Sequence, residues 1–137
     1  MEDVFYLCPE KITIPQIKQV FQNCSSDTIV SDKEHLQIIW KKSEKLQFIE
    51  FYLFPDYINT VDEDETELLL DTIRKNHIRT VIGILHHTRH IPIVLKYTAL
   101  LMQEFGGVLG TDNAGFSPYF SLAELRQFQH QDSPDLF

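Results

Sequence analysis

The chain has 137 residues, enough for one domain that buries roughly two thirds of its unfolded surface, and its hydrophobic fraction of 43% argues against general disorder. Its 20 acidic and 12 basic side chains give a formal net charge of −8. Because nucleic-acid binding draws its affinity from Lys and Arg, this balance argues against a nucleic-acid ligand and favours a basic protein partner.

The cysteines and the first residues bear on the compartment. Cys8 and Cys24 lie far apart and lack the Cys/His spacing of a zinc site, which predicts free, buried thiols. The opening MEDVFYLCPEK has acidic rather than basic residues before its apolar run, which argues against a secretory signal. No apolar run approaches the roughly 18 residues of a membrane span. We therefore expect a cytoplasmic location and no membrane contact.

The first residues predict a strand followed by a helix. Residues 4–8 form an apolar and aromatic run that is typical of a short strand. Thr13 fits the cap of a helix over 14–24, and Pro15 is well placed in its first turn. The fold is therefore expected to begin with β followed by α.

Two β-rich runs, 35–42 and 45–54, are separated by Ser43 and Glu44. This spacing predicts an antiparallel hairpin, although neither residue favours a tight turn of the primed types. The hairpin is rich in aromatic residues, which suit either core packing or an exposed set of interface anchors. These residues are Trp40, Phe48, Phe51, Tyr52 and Phe54.

An acidic run, DEDETE at 62–67, precedes apolar residues at helical spacing, and Arg74 and Lys75 lie at the other end. This charge order complements a helix dipole, with each favourable terminal charge contributing ~0.3–1 kcal/mol. The run has two compatible interpretations, one as the charged start of a helix and one as an acidic patch that faces a partner.

The C-terminal half has the strongest pattern. Its predicted elements, in order, are a strand over 79–86, a helix from 92 to about 105, a strand over 108–111, a turn over 112–115 and a helix from 121 to about 130. Gly106 and Gly107 are expected to end the first of these helices. Ser121 and Glu124, in SLAE, form a capping box that opens the second.

The resulting order is β-α-β-β-α-β-α-β-α. It predicts a single-domain α+β sandwich over residues 1–130, with one antiparallel or mixed β-sheet and helices mainly on one face. A ferredoxin-like arrangement is one candidate within this class. The tail, residues 131–137, has no core-forming pattern and is expected to be mobile.

The segment HHTRH, at 86–90, places three histidines where a strand enters a helix. A metal site needs three or four converging ligands, and no carboxylate or HExxH framework accompanies them. Loop or helix-entry contacts are therefore the favoured interpretation, with His87 and His90 as the residues to examine for metal. The glycine-rich segment 106–115 follows a helix rather than opening one, so it does not match a phosphate-binding loop. No cofactor is expected.

Residues 79–128 also carry a family resemblance. A strand, a helix ending in FGG, an extended segment with DN and then PYFSLAEL resemble the closing segment of several small bacterial immunity-type proteins. The resemblance implies a cytoplasmic antitoxin that binds a cognate polymorphic toxin, often one with a basic catalytic domain, and blocks its active site.

We therefore expect a non-enzymatic immunity protein whose contacts come from the acidic run and from hairpin aromatics. The predicted partner-binding residues are Asp62, Glu63, Asp64, Glu65, Glu67, Trp40, Tyr52 and Tyr57. Two alternatives remain open. One is an acidic chaperone of the type III secretion kind, which would dimerise and hold an extended effector segment. The other is a small metal-dependent hydrolase that uses HHTRH together with Asp112.

Overall fold

The computed structural model describes residues 1–54, 63–113 and 116–129. Seven strands and four α-helices are formed by these residues. In chain order they are β1 (Glu2–Cys8), α1 (Ile14–Cys24), β2 (Thr28–Ser31), β3 (His35–Lys42), β4 (Lys45–Leu53), α2 (Glu63–Asn76), β5 (Thr80–His86), α3 (Ile91–Phe105), β6 (Val108–Gly110), β7 (Tyr119–Phe120) and α4 (Leu122–Gln129). A 3₁₀ turn, Thr88–His90, joins β5 to α3.

All seven strands form one antiparallel sheet in the order β2-β3-β4-β5-β1-β6-β7. The predicted α+β class, with a single sheet, is therefore confirmed. The four central strands, β4-β5-β1-β6, lie in the order that two interlocked split β-α-β units produce, one through α1 and one through α3. The ferredoxin-like candidate thus describes the centre of the sheet, to which β2, β3 and β7 add outer strands.

Strand alternation gives the sheet two different faces. On β1, Val4, Tyr6 and Cys8 contribute to the larger hydrophobic cluster, which also contains buried side chains of α1, α3 and α4. Phe5 and Leu7 point to the opposite face and join a smaller cluster, against which Ile73 of α2 packs. Three helices therefore cover one face and α2 packs on the other, as expected for helices mainly on one face.

Several predicted helix ends are confirmed by their hydrogen bonds. Gln16 accepts from the Thr13 backbone N–H at 2.8 Å at the start of α1. At the start of α4, the Ser121 N–H donates to Glu124 Oε1 at 3.1 Å, and the Glu124 N–H donates to Ser121 Oγ at 3.3 Å. Gly106, with φ of 79°, ends α3. Local chemistry therefore fixes these three boundaries.

The structure adds two strands to the predicted order, β2 and β7, both of which are very short. The hairpin turn has positive φ at both Ser43 (51°) and Glu44 (65°), so it takes a primed conformation despite its residue types. Both cysteines are free, but the prediction of two buried thiols is wrong for Cys24, which is exposed at the end of α1. The predicted tail, 131–137, lies outside the described residues.

Helix lengths can be compared with a bilayer. The longest described helix, α3, has 15 residues. None of the helices in the described ranges is both long enough and apolar enough to cross a membrane.

Candidate interaction surface on the sheet

The two-residue turn of the hairpin fixes which side chains meet across β3 and β4. Lys42 pairs with Lys45, and the same register places Gln37 opposite Glu50 and His35 opposite Tyr52. The side chains of the last two pairs, Gln37 with Glu50 and His35 with Tyr52, point away from the larger hydrophobic cluster. Their neighbours Leu36 and Phe51 point into it. The register therefore gathers a group of polar side chains on the second face of the sheet.

Glu50 is the centre of this group. Its carboxylate accepts hydrogen bonds from Gln37 Nε2, at 3.1 Å, and from the Tyr52 hydroxyl. His35 Nε2 lies 3.5 Å from Glu50 Oε1, and the His35 ring packs on Tyr52 with centroids 4.8 Å apart. The hydrogen bond to Glu50, followed by burial, raises the pKa of Tyr52 to about 12. The phenol therefore remains a donor at neutral pH, and the carboxylate is held in one orientation.

Apolar side chains surround this network. Ile39 and Phe48 pair on one side of it, Leu85 pairs with Glu50 on the other, and Val30 pairs with Gln37. We call this set the Glu50 surface. It comprises Val30, His35, Gln37, Ile39, Phe48, Glu50, Tyr52 and Leu85.

The Glu50 surface lies partly on the inner strands β4 and β5 and yet stays accessible to solvent. The side chains of Glu50 and His35 are 16% and 30% exposed, and Val30 is 53% exposed. Among the described residues, therefore, no segment closes over these side chains. A mixed patch of apolar and orienting polar groups of this kind is typical of a protein-interaction surface.

One end of the Glu50 surface continues into two carboxylates, Asp3 and Asp112, which we call the acidic edge. Asp3 of β1 pairs with Leu85, so it lies in the same cross-strand row as Glu50. Burial, and then repulsion from Asp112, raises the pKa of Asp3. Asp3 and Asp112 line a cavity of about 410 Å³ together with Glu2 and Asn113. A positive charge placed at this edge would relieve the repulsion between Asp3 and Asp112.

The two predicted aromatic anchors within the described residues do not share a surface. Tyr52 belongs to the Glu50 surface, whereas Trp40 lies on the other side of the sheet, half-buried against the larger hydrophobic cluster. The Trp40 ring packs edge-on against His90, with centroids 5.0 Å apart. Strand alternation separates the two residues, and Tyr57 lies outside the described residues.

The acidic run falls at the start of α2. This helix begins at Glu63, continues through Asp64 and Glu65, and has Arg74 and Lys75 in its last turn. The predicted complement to the helix dipole is therefore present. Glu67 is exposed, as the partner-facing interpretation requires, while Asp62 lies outside the described residues.

His87 and His90 of HHTRH pack at the entrance to α3, whereas His86 is the last residue of β5 and pairs with Glu2. His90 is buried, its Nε2 lies 2.9 Å from Gln47 Oε1, and its ring lies 5.8 Å from that of His87. Burial, followed by the charges of Arg89 and His87, lowers the pKa of His90. No group of three His, Cys, Asp or Glu side chains within the described ranges is arranged to hold a metal ion.

Asp112, which the hydrolase alternative combines with these histidines, acts on Asp3, and so does His86 of the HHTRH segment. The charge of Asp112 raises the pKa of Asp3, whereas the charges that act on His90 are cationic ones, from Arg89, His87, His86 and Lys42. The structure therefore associates Asp112 with the acidic edge and His87 and His90 with the start of α3.

Of the eight residues of the Glu50 surface, only Tyr52 was in the predicted partner-binding set, and the polar residues that the prediction missed are His35, Gln37 and Glu50. A signal for them exists in the sequence. A two-residue turn at Ser43 and Glu44 implies that residues whose numbers sum to 87 are paired, which brings 37 to 50 and 35 to 52. The sequence does not show which face of the hairpin the helices cover.

Comparisons with protein-family models, with curated proteins and with solved structures found no match. The resemblance of residues 79–128 to immunity-type proteins therefore stays a prediction. A functional interpretation rests on the geometry and chemistry of the Glu50 surface and its acidic edge.

Proposed function

We propose that this chain is an immunity protein, an antitoxin that acts in the cytoplasm in bacterial competition by binding a cognate secreted toxin and blocking it. The inhibition is a protein–protein interaction and involves no chemistry by this chain. The toxin domain is basic, which suits the formal charge of −8.

The observation that supports this proposal most directly is the Glu50 surface. Tyr52 provides a large aromatic anchor, and its hydroxyl and the Gln37 amide hold Glu50 in place. An orienting network of this kind lowers the entropic cost of presenting a carboxylate to a cation. Tyr is also among the residues that most often dominate binding energy at interfaces.

The proposal is tested by co-expression with the C-terminal domain of a large secreted protein encoded beside this chain. Expression of that domain alone should stop bacterial growth, and co-expression of this chain should restore it. The two purified proteins should form a complex in calorimetry. A toxic domain that this chain neither binds nor neutralises would contradict the proposal.

Substitutions at the Glu50 surface then distinguish it from the acidic run. Tyr52→Ala should weaken the complex roughly tenfold or more, because it removes the anchor and one hydrogen bond to Glu50. Glu50→Gln should weaken it through loss of charge while keeping a polar group. Glu104→Gln, which removes an exposed carboxylate from α3, is the matched control and should bind normally.

The competing arrangement is tested by reversing the charge of three residues at the start of α2, Glu63→Lys, Glu65→Lys and Glu67→Lys. If this triple variant loses the toxin while Tyr52→Ala and Glu50→Gln retain it, the binding face is the acidic run. Thermal unfolding of each variant checks that the fold is intact.

A further inference from the structure

β2 is the outermost strand on one side of the sheet. This strand ends the sheet, and within the described part of the chain it pairs with β3 alone. The Asp32 N–H donates to the His35 carbonyl at 2.9 Å, which identifies the hydrogen-bonded positions of the ladder. Because these positions alternate, the backbone groups of Thr28 and Val30 point to β3, and those of Ile29 and Ser31 point outward.

Both ends of β2 are held in place. Before the strand, Asp27 accepts a hydrogen bond from the buried Tyr97 hydroxyl, and its N–H donates to Ser25 Oγ at 3.1 Å. After it, Asp32 Oδ1 accepts from the Glu34 N–H at 2.9 Å. The edge is therefore fixed in an extended form before any partner arrives, which lowers the cost of adding a strand.

Apart from its length of only four residues, β2, with the sequence TIVS, lacks the sequence features that usually protect a sheet edge. It has no Lys, no Pro and no other charged residue, and its pairing with β3 is regular over all four residues. Thr28 and Val30 are exposed. A strand with these properties favours addition of an extended segment from another protein.

We propose that an extended, basic segment of the partner adds to β2 as an eighth strand, antiparallel or parallel, through the outward backbone groups of Ile29 and Ser31. This inference rests on the proposed function, since the partner is the toxin domain. Val30 belongs to the Glu50 surface, so the added strand would continue that surface at the sheet edge.

The charge of the residues beside β2 and the length of its edge favour a basic segment of the partner over a second copy of the chain. Asp27, Asp32 and Glu34 with Lys33 give the residues that border β2 a net charge of −2, which favours a basic segment. A second copy of the chain would bring another formal charge of −8. Four residues of edge also offer far less than the roughly 800 Å² per partner that a stable interface buries. Self-pairing is therefore disfavoured.

The substitution Ser31→Pro tests the proposal because it removes one outward N–H and leaves the bonds to β3 in place. It should weaken binding of the toxin domain roughly tenfold in calorimetry, because one hydrogen bond to the added strand is lost, with little change in thermal stability. Ser31→Val, which keeps the N–H and suits a strand, should bind as the wild type does. Equal binding by Ser31→Pro and the wild type would overturn the proposal that a partner segment adds to β2.

Amide hydrogen exchange on the wild-type chain gives a second measurement that does not depend on how the proline variant folds. The Ile29 and Ser31 amides should exchange slowly only in the complex, while the Val30 amide is protected in both states. Unchanged exchange at Ile29 and Ser31 in a stable complex would contradict the inference. A wild-type dimer in light scattering that Ser31→Pro dissociates would instead assign the edge to a second copy. Absence of any complex with the toxin domain would overturn both this inference and the proposed function.

Discussion

His77 follows the last turn of α2 in a left-handed conformation, with φ of 54°. The Ile78 N–H donates to the Ile73 carbonyl at 2.9 Å, and the His77 N–H donates to the Arg74 carbonyl at 3.3 Å. These two bonds form a Schellman motif, and Ile73 and Ile78 supply the apolar contact that usually accompanies it. A residue with a Cβ therefore occupies a position that glycine adopts at no steric cost.

We expect His77→Gly to raise the free energy of unfolding by about 0.5–1 kcal/mol, because relief of the left-handed strain exceeds the added entropy of the unfolded chain. His77→Ala keeps the Cβ and should give no such gain. Urea denaturation of the three proteins measures the difference. Equal stabilisation by both substitutions would show that the imidazole, and not the backbone conformation, is responsible.

At the scale of one residue, Asp3 makes the stability of the folded protein depend on pH. Because burial and Asp112 raise its pKa in the folded state above the ordinary value of 3.8, folding favours the protonated carboxyl. The stabilisation that the protonated Asp3 carboxyl contributes is fully present below its pKa in the unfolded chain. It is lost as pH rises through its pKa in the folded protein. At neutral pH the ionised carboxylate therefore costs stability.

Asp3→Asn should accordingly be more stable than the wild type at pH 7, by a fraction of a kcal/mol because solvent screens the half-exposed group. The advantage should shrink as pH falls toward 3 in a series of denaturation curves. Asp71→Asn, on the exposed side of α2, controls for loss of one negative charge. An advantage that does not change with pH would contradict this account.

At the scale of elements, Tyr97 connects α3 to the start of β2. Its hydroxyl is buried, donates to Asp27 and lies 2.6 Å from Ser25 Oγ. Burial, and then the hydrogen bond to Asp27, raises the pKa of Tyr97 to about 12, so the phenol donates throughout the physiological range. The turn from α1 into β2 is thereby attached to the larger hydrophobic cluster.

Tyr97→Phe should lower the free energy of unfolding by about 1.5–3 kcal/mol, since it removes hydrogen bonds that involve a carboxylate. It should also speed amide exchange in β2, because Asp27 loses its anchor. Tyr119→Phe, on the half-buried strand β7, removes a hydroxyl with no described hydrogen bond and serves as the control. If the two substitutions had equal effects on stability and on amide exchange in β2, the proposed role of Tyr97 would be contradicted.

At the scale of the whole molecule, the two faces of the sheet differ in how much of each is covered by helices. Helices α1, α3 and α4 complete one hydrophobic cluster, while the second face has a smaller one with α2. The Glu50 surface lies beside that smaller cluster, and the β2 edge adjoins it through Val30. The proposed contacts with a basic partner therefore form one continuous region, which includes the acidic edge at Asp3.

Much of the local structure was predictable because it depends on residues close in the chain. Thr13, Gly106 and Ser121 set helix boundaries through caps that involve only neighbours within four residues. The hairpin register follows from the length of its turn. Apolar runs identified β1 and β5. The four residues of β2 and the two of β7 were missed because such short segments show almost no periodicity.

The helices, the long strands and the α+β class thus followed from local patterns of residues. The tertiary structure decided that β1 lies between β5 and β6, since strand pairing depends on segments distant in the chain. It also decided which face of the hairpin the helices cover, and hence that Tyr52 and Glu50 remain accessible while Trp40 packs against the core. Alternation defines two faces in the sequence, but only packing assigns one of them to solvent.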